Sequence, residues 1–435
     1  MNFYRNSHRN MNRFLGCLAL SVLTTMGAYA QSGTNSPYSQ YGLGDLADQS
    51  VGFNKGMGGV GLAFRRGNEV NPLNPASYSS VDSLSMILDA GLSGQITHYN
   101  ENGKTLNAKG GGFDYVAGLF RVFKNVGVSV GVMPYSNIGY NYTSSTKLSE
   151  INTTVPVNYK GDGGIHQLFL GAGWKIVKPL SLGFNVAYLW GEYDRSVTSA
   201  NSSINTISKQ YTASINSWKL DVGLQYDQPI NKNDFITVGA TFSPGHSLKA
   251  DPACLIVNSN TTIGKSDSTK YEIGNGLDIP TSWGVGLAYR HGSTLRVGAD
   301  FQMQKWGALS YPTVNELNQY VLKDGLLQDS YKANIGAEWM PDPMSRKLLN
   351  HVRYRIGAGL STPYYYINGQ DGPKEFHVSL GFGIPIANVY NNRSVLNISA
   401  QWQHRSADNL ISENTFFFNI GLTFNERWFA KWKIE

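Results

Sequence analysis

Three glycines near the N-terminus have the spacing of a dinucleotide-binding motif. Gly56, Gly58 and Gly61 spell G-x-G-x-x-G, which in nucleotide-binding proteins joins a buried strand to a helix and cradles a pyrophosphate. That chemistry also requires an acidic residue about twenty positions later to bind a ribose. Residues 31–55 contain no candidate for the buried strand, and residues 68–75 do not resemble a helix. The motif therefore does not predict a nucleotide site.

The other residue types that could do chemistry are dispersed along the chain. The eight histidines have neither the spacing of a metalloprotease helix nor that of a cysteine–histidine zinc site, and no G-x-S-x-G nucleophile elbow occurs. The sequence therefore predicts no enzyme activity, no metal and no cofactor. His166, His377 and His404 lie inside predicted strands, where we interpret them as polar residues of an internal channel.

Four charged residues are predicted to share the polar faces of two amphipathic segments. Arg296 and Asp300 alternate with apolar residues in one segment, and Arg353 and Arg355 do so in another. We interpret them as charges facing the inside of the protein, where they pair with each other or hold an internal segment.

The segments that position these residues alternate large apolar residues with small or polar ones. In residues 179–191, for example, Leu182, Phe184 and Val186 are separated by Gly183 and Asn185. A period of two is typical of strands with two different faces. Fourteen such segments are predicted, at 84–99, 112–122, 125–142, 163–176, 179–194, 207–227, 234–243, 280–290, 294–305, 330–340, 352–361, 374–386, 394–405 and 415–424.

The connections between these strands alternate between short turns and long polar loops, such as 143–162 and 244–279. Outer-membrane barrels have this rhythm, with short turns at the periplasmic end and long loops outside. An even strand number also brings both ends of the barrel to the short-turn side. The predicted fold class is therefore all-β, a transmembrane antiparallel β-barrel of about 14 strands over residues 84–424.

Composition and the first thirty residues agree with this class. Charged residues make up only 15%, against roughly 25% in soluble domains. Residues 1–30 read as a secretory signal peptide, with three early arginines, an apolar stretch and Ala28-Tyr29-Ala30 before the cleavage point. Cleavage leaves 33 basic and 30 acidic residues, too small an excess to suggest nucleic-acid binding, and one cysteine, Cys254. We expect export to the outer membrane of a Gram-negative cell.

Residues 31–83 do not follow the strand rhythm and are rich in Gly, Asn and Ser. A barrel of 14 strands would leave a hole in its centre, so we predict that this segment is a plug in the lumen. Glycines on the polar faces of the strands would leave room for it; they are Gly127, Gly131, Gly183, Gly284, Gly286, Gly298, Gly357, Gly359, Gly381 and Gly383. Tryptophans near the segment ends are expected in interfacial girdles; they are Trp174, Trp190, Trp283, Trp306 and Trp339.

Two motifs in the plug resemble the N-terminal hatch of FadL-type long-chain fatty acid transporters. They are Gly56-Met57-Gly58-Gly59 and, just before the first strand, Asn74-Pro75-Ala76. The resemblance implies a 14-stranded barrel that takes up hydrophobic compounds passively and releases them sideways into the bilayer through a kink in the third strand. Pro134 and Tyr135 lie in the middle of that strand, and proline removes a ladder donor. The resemblance thus implies a ligand path or gate at Asn74, Pro75, Ala76, Pro134 and Tyr135.

Other readings of the sequence remain open. An aromatic and basic tail, residues 425–435, follows the last predicted strand and could anchor at the membrane interface or dock on another protein. The expected partners are outer-membrane lipid, a hydrophobic small molecule and, through the tail or loops, other envelope proteins. The alternative to transport is a barrel subunit of an envelope assembly or secretion complex. A general porin is disfavoured by the predicted plug.

Overall fold

The computed structural model describes residues 33–83, 85–101, 103–148, 153–201, 204–260, 263–386 and 394–427. Fourteen antiparallel strands pair in chain order, and the first also pairs with the last, so the barrel is closed. They are β1 Ser85–Glu101, β2 Lys104–Phe123, β3 Val126–Leu148, β4 Thr153–Lys175, β5 Leu180–Asn201, β6 Ile204–Pro229, β7 Asp234–Ser243, β8 Ser282–His291, β9 Leu295–Gln304, β10 Ser330–Trp339, β11 Arg353–Ser361, β12 Lys374–Ile386, β13 Ser394–Ser406 and β14 Ser412–Arg427.

The two faces of the wall differ in chemistry as the alternation predicts. Phe184 on β5 and Leu422 on β14 are 50% and 43% exposed, whereas the intervening Asn185 and Thr423 are buried. Most of the large apolar side chains of the strands point outward and most of the polar ones point into the lumen, while a few apolar ones, such as Ile87 and Leu119, point inward against the hatch. A closed cylinder with an apolar exterior pairs most backbone groups of its wall with one another, which is what a bilayer demands. The predicted fold class is confirmed.

The tryptophans predicted to lie in interfacial girdles are on the outer face, with one exception. Trp174, Trp283 and Trp339 are 43–54% exposed on the outer face, as predicted. The prediction is wrong for Trp306, which is 1% exposed and packs against Tyr364 with ring centroids 4.6 Å apart. Trp306 follows β9 in a connecting 3₁₀ turn rather than in a strand, so strand periodicity does not fix its direction.

The three strand histidines divide between the two faces. His377 is buried in the lumen, as predicted. His166 and His404 lie instead on the outer face, where they stack on Trp190 and Trp402 with centroids 5.8 and 6.1 Å apart. An imidazole in an aromatic belt keeps its ring against apolar neighbours and its nitrogens near the polar headgroups.

Much of the predicted outer loop sequence is strand. β3 and β4 continue through most of residues 143–162, and Ala253–Asn260 and Lys265–Glu272 form a hairpin that pairs with β6. These segments are rich in Thr, Val, Ile and Tyr, which favour strands. The remaining short elements are the strand pairs His246–Ser247 with Asp278–Ile279, Tyr311–Val314 with Tyr320–Lys323 and Tyr366–Ile367 with Gln370–Asp371, the 3₁₀ turn Trp306–Ala308 and the helical turn Leu348–His351.

Residues 33–83, called the hatch from here on, lie inside the barrel. The hatch contains the 3₁₀ turns Pro37–Gln40 and Pro75–Ser80, the short strand Asp45–Leu46 and the helical turn Gly52–Lys55. Its apolar side chains contribute to two cores, each shared with inward-facing residues of the wall. No helix in the described ranges is long and apolar enough to cross a membrane.

The ends of the barrel differ slightly from the predicted boundaries. β14 continues to Arg427, three residues into the segment predicted as a tail. The rest of that tail, residues 428–435, and the predicted signal peptide, residues 1–30, lie outside the described residues.

Candidate functional site

A row of glycines on four neighbouring strands receives one part of the hatch. Gly127, Gly173, Gly183 and Gly223 lie directly opposite one another on β3, β4, β5 and β6. A Cβ atom on either Gly173 or Gly183 would come within 2.5 Å of the carbonyl oxygen of Pro75. The wall lacks side chains here because the hatch backbone occupies their space.

A second row of glycines receives the other hatch motif. Gly298, Gly336 and Gly357 are paired on β9, β10 and β11. A side chain on Gly336 or Gly357 would collide with the backbone of Met57. Both motifs that carry the resemblance thus lie on glycine rows in the wall, where they seat the hatch.

Asn74 ties its motif to the wall through its amide group. Its Oδ1 accepts a hydrogen bond from the backbone N–H of Ala76 at 3.1 Å and caps the 3₁₀ turn. Its Nδ2 donates to the carbonyl of Leu62 at 2.7 Å and to that of Leu224 on β6 at 3.1 Å. Asn74, Pro75 and Ala76 are each fully or nearly fully buried. These contacts make the motif a positioning element of the hatch.

Asp300 on β9 holds the glycine-rich loop of the hatch. Its Oδ2 accepts the backbone N–H groups of Gly61 at 2.6 Å and Leu62 at 2.8 Å. Hydrogen bonds to an ionised acceptor are among the stronger ones in proteins. The prediction that Asp300 holds an internal segment is confirmed.

Glu69 of the hatch lies at the centre of a buried ionic network. Its carboxylate contacts Arg66 at 2.6 Å, Arg353 on β11 at 2.6 Å and Arg296 on β9 at 3.4 Å. Burial acts to raise the pKa of Glu69, but the three guanidinium groups outweigh it and hold the pKa below its ordinary value. Glu69 is therefore ionised at neutral pH and links the hatch to two strands.

Glu338 on β10 extends this network across the wall. It contacts Arg66 of the hatch at 2.7 Å and Arg355 on β11 at 2.8 Å. Arg355 also donates to Asn397 on β13 at 2.6 Å. Arg296, Arg353 and Arg355 thus take the lumenal positions predicted for them.

The wall is interrupted between β2 and β3. Their ladder runs from the short-turn end only as far as the pair Val116–Val132. Beyond it, among the described residues, β2 pairs with β1 alone, while β3 continues to pair with β4 through a bulge at Tyr135, between Pro134 and Ser136. Pro134 has no N–H to donate, and a bulge bends its strand, so the sequence at this point favours departure from the barrel wall. We call this interruption the wall gap.

Beyond the bulge, β3 enters the interior of the barrel. Residues 135–140 are buried on both faces of the strand, apart from the half-buried Asn137. The hatch strand Asp45–Leu46 pairs with Ser136 and Asn137, and the N–H of Ala47 donates to the carbonyl of Tyr135 at 3.0 Å. The hatch therefore takes up part of the β3 edge that β2 leaves unpaired.

A cavity of about 1200 Å³ lies in the lumen beside the wall gap. Its lining includes the inward-facing polar residues Gln403 and Glu413. It also includes Leu92, Val132 and His166, which belong to the outer face of the wall. The cavity thus passes from the lumen through the wall gap to the lipid-facing surface.

The predicted path residues fall into two groups at different places on the wall. Pro134 and Tyr135 form the edge of the wall gap on β3, and Pro134 lines the cavity. Asn74, Pro75 and Ala76 lie on β4 to β7, and none of them lines the cavity in the part of the chain that the structure describes. Their predicted place in the ligand path stays a prediction.

The β2 side of the wall gap was not predicted from the sequence. Gly110, Gly111 and Gly112 form a run of three glycines on β2, just beyond the last pair with β3. Such a run weakens a strand, and its position a few residues beyond the level of Pro134 was the available signal. No sequence signal could have identified Arg66, Glu69 and Glu338, because an isolated charged residue does not reveal its partner in the fold.

Solved structures of similar fold include toluene transporters. The Pseudomonas putida toluene transporter TodX is 16% identical, with 89% of this chain and 100% of that chain covered at a TM-score of 0.62. The Ralstonia pickettii toluene transporter TbuX is 14% identical, with coverage of 88% and 99% and a TM-score of 0.60. A Pseudomonas aeruginosa FadL homologue is 11% identical, with coverage of 87% and 99% and a TM-score of 0.58. Comparison with curated proteins gives no match.

A closed 14-stranded barrel with an internal N-terminal hatch is the fold of FadL-type outer-membrane proteins, and the resemblance seen in the sequence is confirmed at the level of the fold. Within this class, the sequence matches the BamG family over residues 11–435, and the chain belongs to that family.

Proposed function

We propose that the protein is an outer-membrane channel that passes hydrophobic or amphiphilic molecules passively between its lumen and the bilayer. The wall gap carries this proposal, because it joins an internal cavity to the lipid-facing surface. The names of TodX and TbuX as toluene transporters support a hydrophobic cargo. An apolar group that moves from water to the bilayer gains about 25 cal/mol per Å² buried, so the route needs no energy source.

The chemistry of the cavity favours a cargo with a polar head. Leu92, Val116 and Val132 form an apolar mouth at the wall gap, whereas Arg405 and Glu413 lie on the lumenal side. A wholly apolar molecule would leave these charged groups without solvent, at a cost. An amphiphile can place its tail in the apolar mouth and its head among the charges.

Two glycines offer a matched test of the route. Gly112 faces the cavity, and a Cβ there would meet only Gly33, at 3.7 Å. Gly94 on β1 has open space around its Cβ position and belongs to the outward-facing register. In Gram-negative cells that lack their own channel of this kind, Gly112→Trp should reduce uptake of a fluorescent long-chain fatty acid to the background rate. Gly94→Trp should leave uptake unchanged.

The same two variants can also refute the proposal, if their uptake rates differ from those predicted. Both must first reach wild-type levels in the outer membrane and show the heat-dependent gel mobility of a folded barrel. Wild-type uptake by a folded Gly112→Trp protein, or background uptake by the wild type itself, would rule out passage through the cavity.

A second candidate function is that of a barrel subunit in an envelope assembly. The sequence match supports this candidate, because the matching family is BamG and its description does not name a transporter, unlike the names of the similar structures. The edge of β2 over Lys104–Tyr115 pairs only with β1 within the described ranges, so it could accept a strand of another protein. Stoichiometric co-purification of envelope proteins from native membranes, together with unchanged uptake in the Gly112→Trp variant, would favour this candidate.

A further inference from the structure

A basic pocket lies between the hatch and the short-turn end of the barrel, and none of its described lining residues lines the cavity at the wall gap. Its volume is about 420 Å³. Six basic residues line it, two from the hatch and four from strands: Arg65, Arg66, Arg121, Lys175, Arg290 and Arg296. Only two carboxylates, those of Asp82 and Asp227, share the lining. The pocket therefore carries an excess of positive charge.

Two of the six cations are neutralised by the hatch. Arg66 and Arg296 both contact the carboxylate of Glu69, at 2.6 and 3.4 Å. The other four form no ion pair at 4.0 Å or less within the described residues, and Asp227 only partly offsets the charges of Arg65, Lys175 and Arg290.

The unpaired cations are held in place by neutral groups. Arg65 donates to the hydroxyls of Ser79 and Ser181 at 3.3 and 3.2 Å. The guanidinium carbon of Arg290 lies 3.9 Å from the centre of the Phe235 ring. Both arrangements fix a guanidinium without cancelling its charge, which leaves its field available to a ligand.

Arg296 supplies an independent sign that an acceptor belongs here. Its side chain is 5% exposed and lines the pocket, yet its Nε finds no hydrogen-bond partner among the described residues. A buried donor of a charged group is costly to leave unpaired. A bound anion would provide the missing acceptor.

We propose that this pocket binds a phosphate group. A phosphate dianion matches several incompletely compensated cations better than a single carboxylate does, and guanidinium groups bind its oxygens in pairs. Since Arg65 belongs to the hatch and Lys175 and Arg290 to β4 and β8, the bound phosphate links the hatch to the barrel. The phosphate is either a soluble one or the headgroup of a phospholipid in the adjacent leaflet. The site does not depend on passage through the wall gap.

The experiment measures inorganic phosphate binding to the purified full chain in detergent by calorimetry at low salt. The test variant combines Arg65→Gln with Arg290→Gln, which removes two charges without leaving a carboxylate unpaired. The control is Arg346→Gln, an exposed arginine of the same barrel end outside the pocket. The double variant should bind phosphate at least about tenfold more weakly than the wild type, and the control should bind it as tightly as the wild type does.

Heat-dependent gel mobility establishes that each variant is folded. Absence of phosphate binding by the wild type, or equal binding by the folded double variant, would overturn the proposal. Tighter binding of a poly-glutamate peptide than of phosphate or phospholipid would overturn it in favour of an acidic protein segment.

Native mass spectrometry distinguishes the two sources of phosphate. A phospholipid that stays bound to the wild type, is displaced by inorganic phosphate and is absent from the double variant identifies a lipid headgroup. Phosphate binding with no retained lipid identifies a soluble ligand. Either result supports the site.

Discussion

Gly183 on β5 lies so close to Pro75 of the hatch that a Cβ atom on the glycine would come within 2.5 Å of the proline carbonyl oxygen. The contact is between two backbones, so neither partner can yield by changing a rotamer. Backbone contact of this kind, repeated along two glycine rows, fixes the hatch by shape as well as by charge.

Replacing Gly183 with valine should displace the hatch without unfolding the barrel. Overpacking of a buried contact costs about 1–3 kcal/mol, and the hatch can move whereas the closed ladder cannot. We expect increased leakage of small solutes from proteoliposomes and faster hydrogen exchange over residues 74–80. Gly94→Val, on the open outer face, is the control. Unchanged leakage and exchange in a folded Gly183→Val protein would contradict the seating role.

The sequence predicts the wall well because every barrel strand separates the same two environments. Apolar alternation therefore recurs in each strand, and glycines on the polar face mark where a backbone approaches, as at Gly183 and Gly357. The wall gap could not be predicted in the same way, because the point where a ladder ends depends on both strands. The burial of Trp306 was not predicted, because a 3₁₀ turn and not strand alternation sets the direction of its side chain.

The charge network around Glu338 should be needed to keep the hatch docked. Glu338→Gln leaves Arg66 and Arg355 without their shared carboxylate in a buried site, and breaking such a pair costs about 3–5 kcal/mol. We expect the hatch to become sensitive to protease while the barrel keeps its gel mobility. Lys270→Gln breaks an exposed ion pair with Glu272, at 3.3 Å, and should change nothing measurable. Equal protease resistance in both variants would show that the network is dispensable.

The ion pairs of Glu69 should withstand mild acid. The pKa of Glu69 is lowered in the folded protein, so its ion pairs contribute stability that is fully present above the ordinary glutamate pKa of about 4.3. That contribution is lost only as the pH falls below this value, through the lowered pKa. Hydrogen exchange over residues 65–70, around Glu69, should therefore be constant from pH 7 to about pH 5 after correction for intrinsic rates. Loosening of this segment between these values would contradict the assignment.

Cys254 should be inert to thiol reagents in the folded protein. Its side chain is 0% exposed in the outer hairpin, and burial raises the pKa of its thiol to about 11. The thiolate is the reactive species, and little of it exists at pH 8. Maleimide labelling should be slow in detergent and complete after denaturation in dodecyl sulfate. Fast labelling of the folded protein would show that the hairpin opens.

The contact between Ala47 and Tyr135 should control how wide the wall gap is. The N–H of Ala47 donates to the Tyr135 carbonyl at 3.0 Å, next to the short ladder between Asp45–Leu46 and β3. Ala47→Pro removes this donor, whereas Ala47→Ser keeps it and serves as the control. If the gap is the exit, loss of the contact should free the hatch strand and speed fatty acid uptake relative to both the wild type and Ala47→Ser. Faster protease cleavage near residue 47 should accompany the change. Easier cleavage with unchanged uptake would mean that the hatch strand does not limit the route.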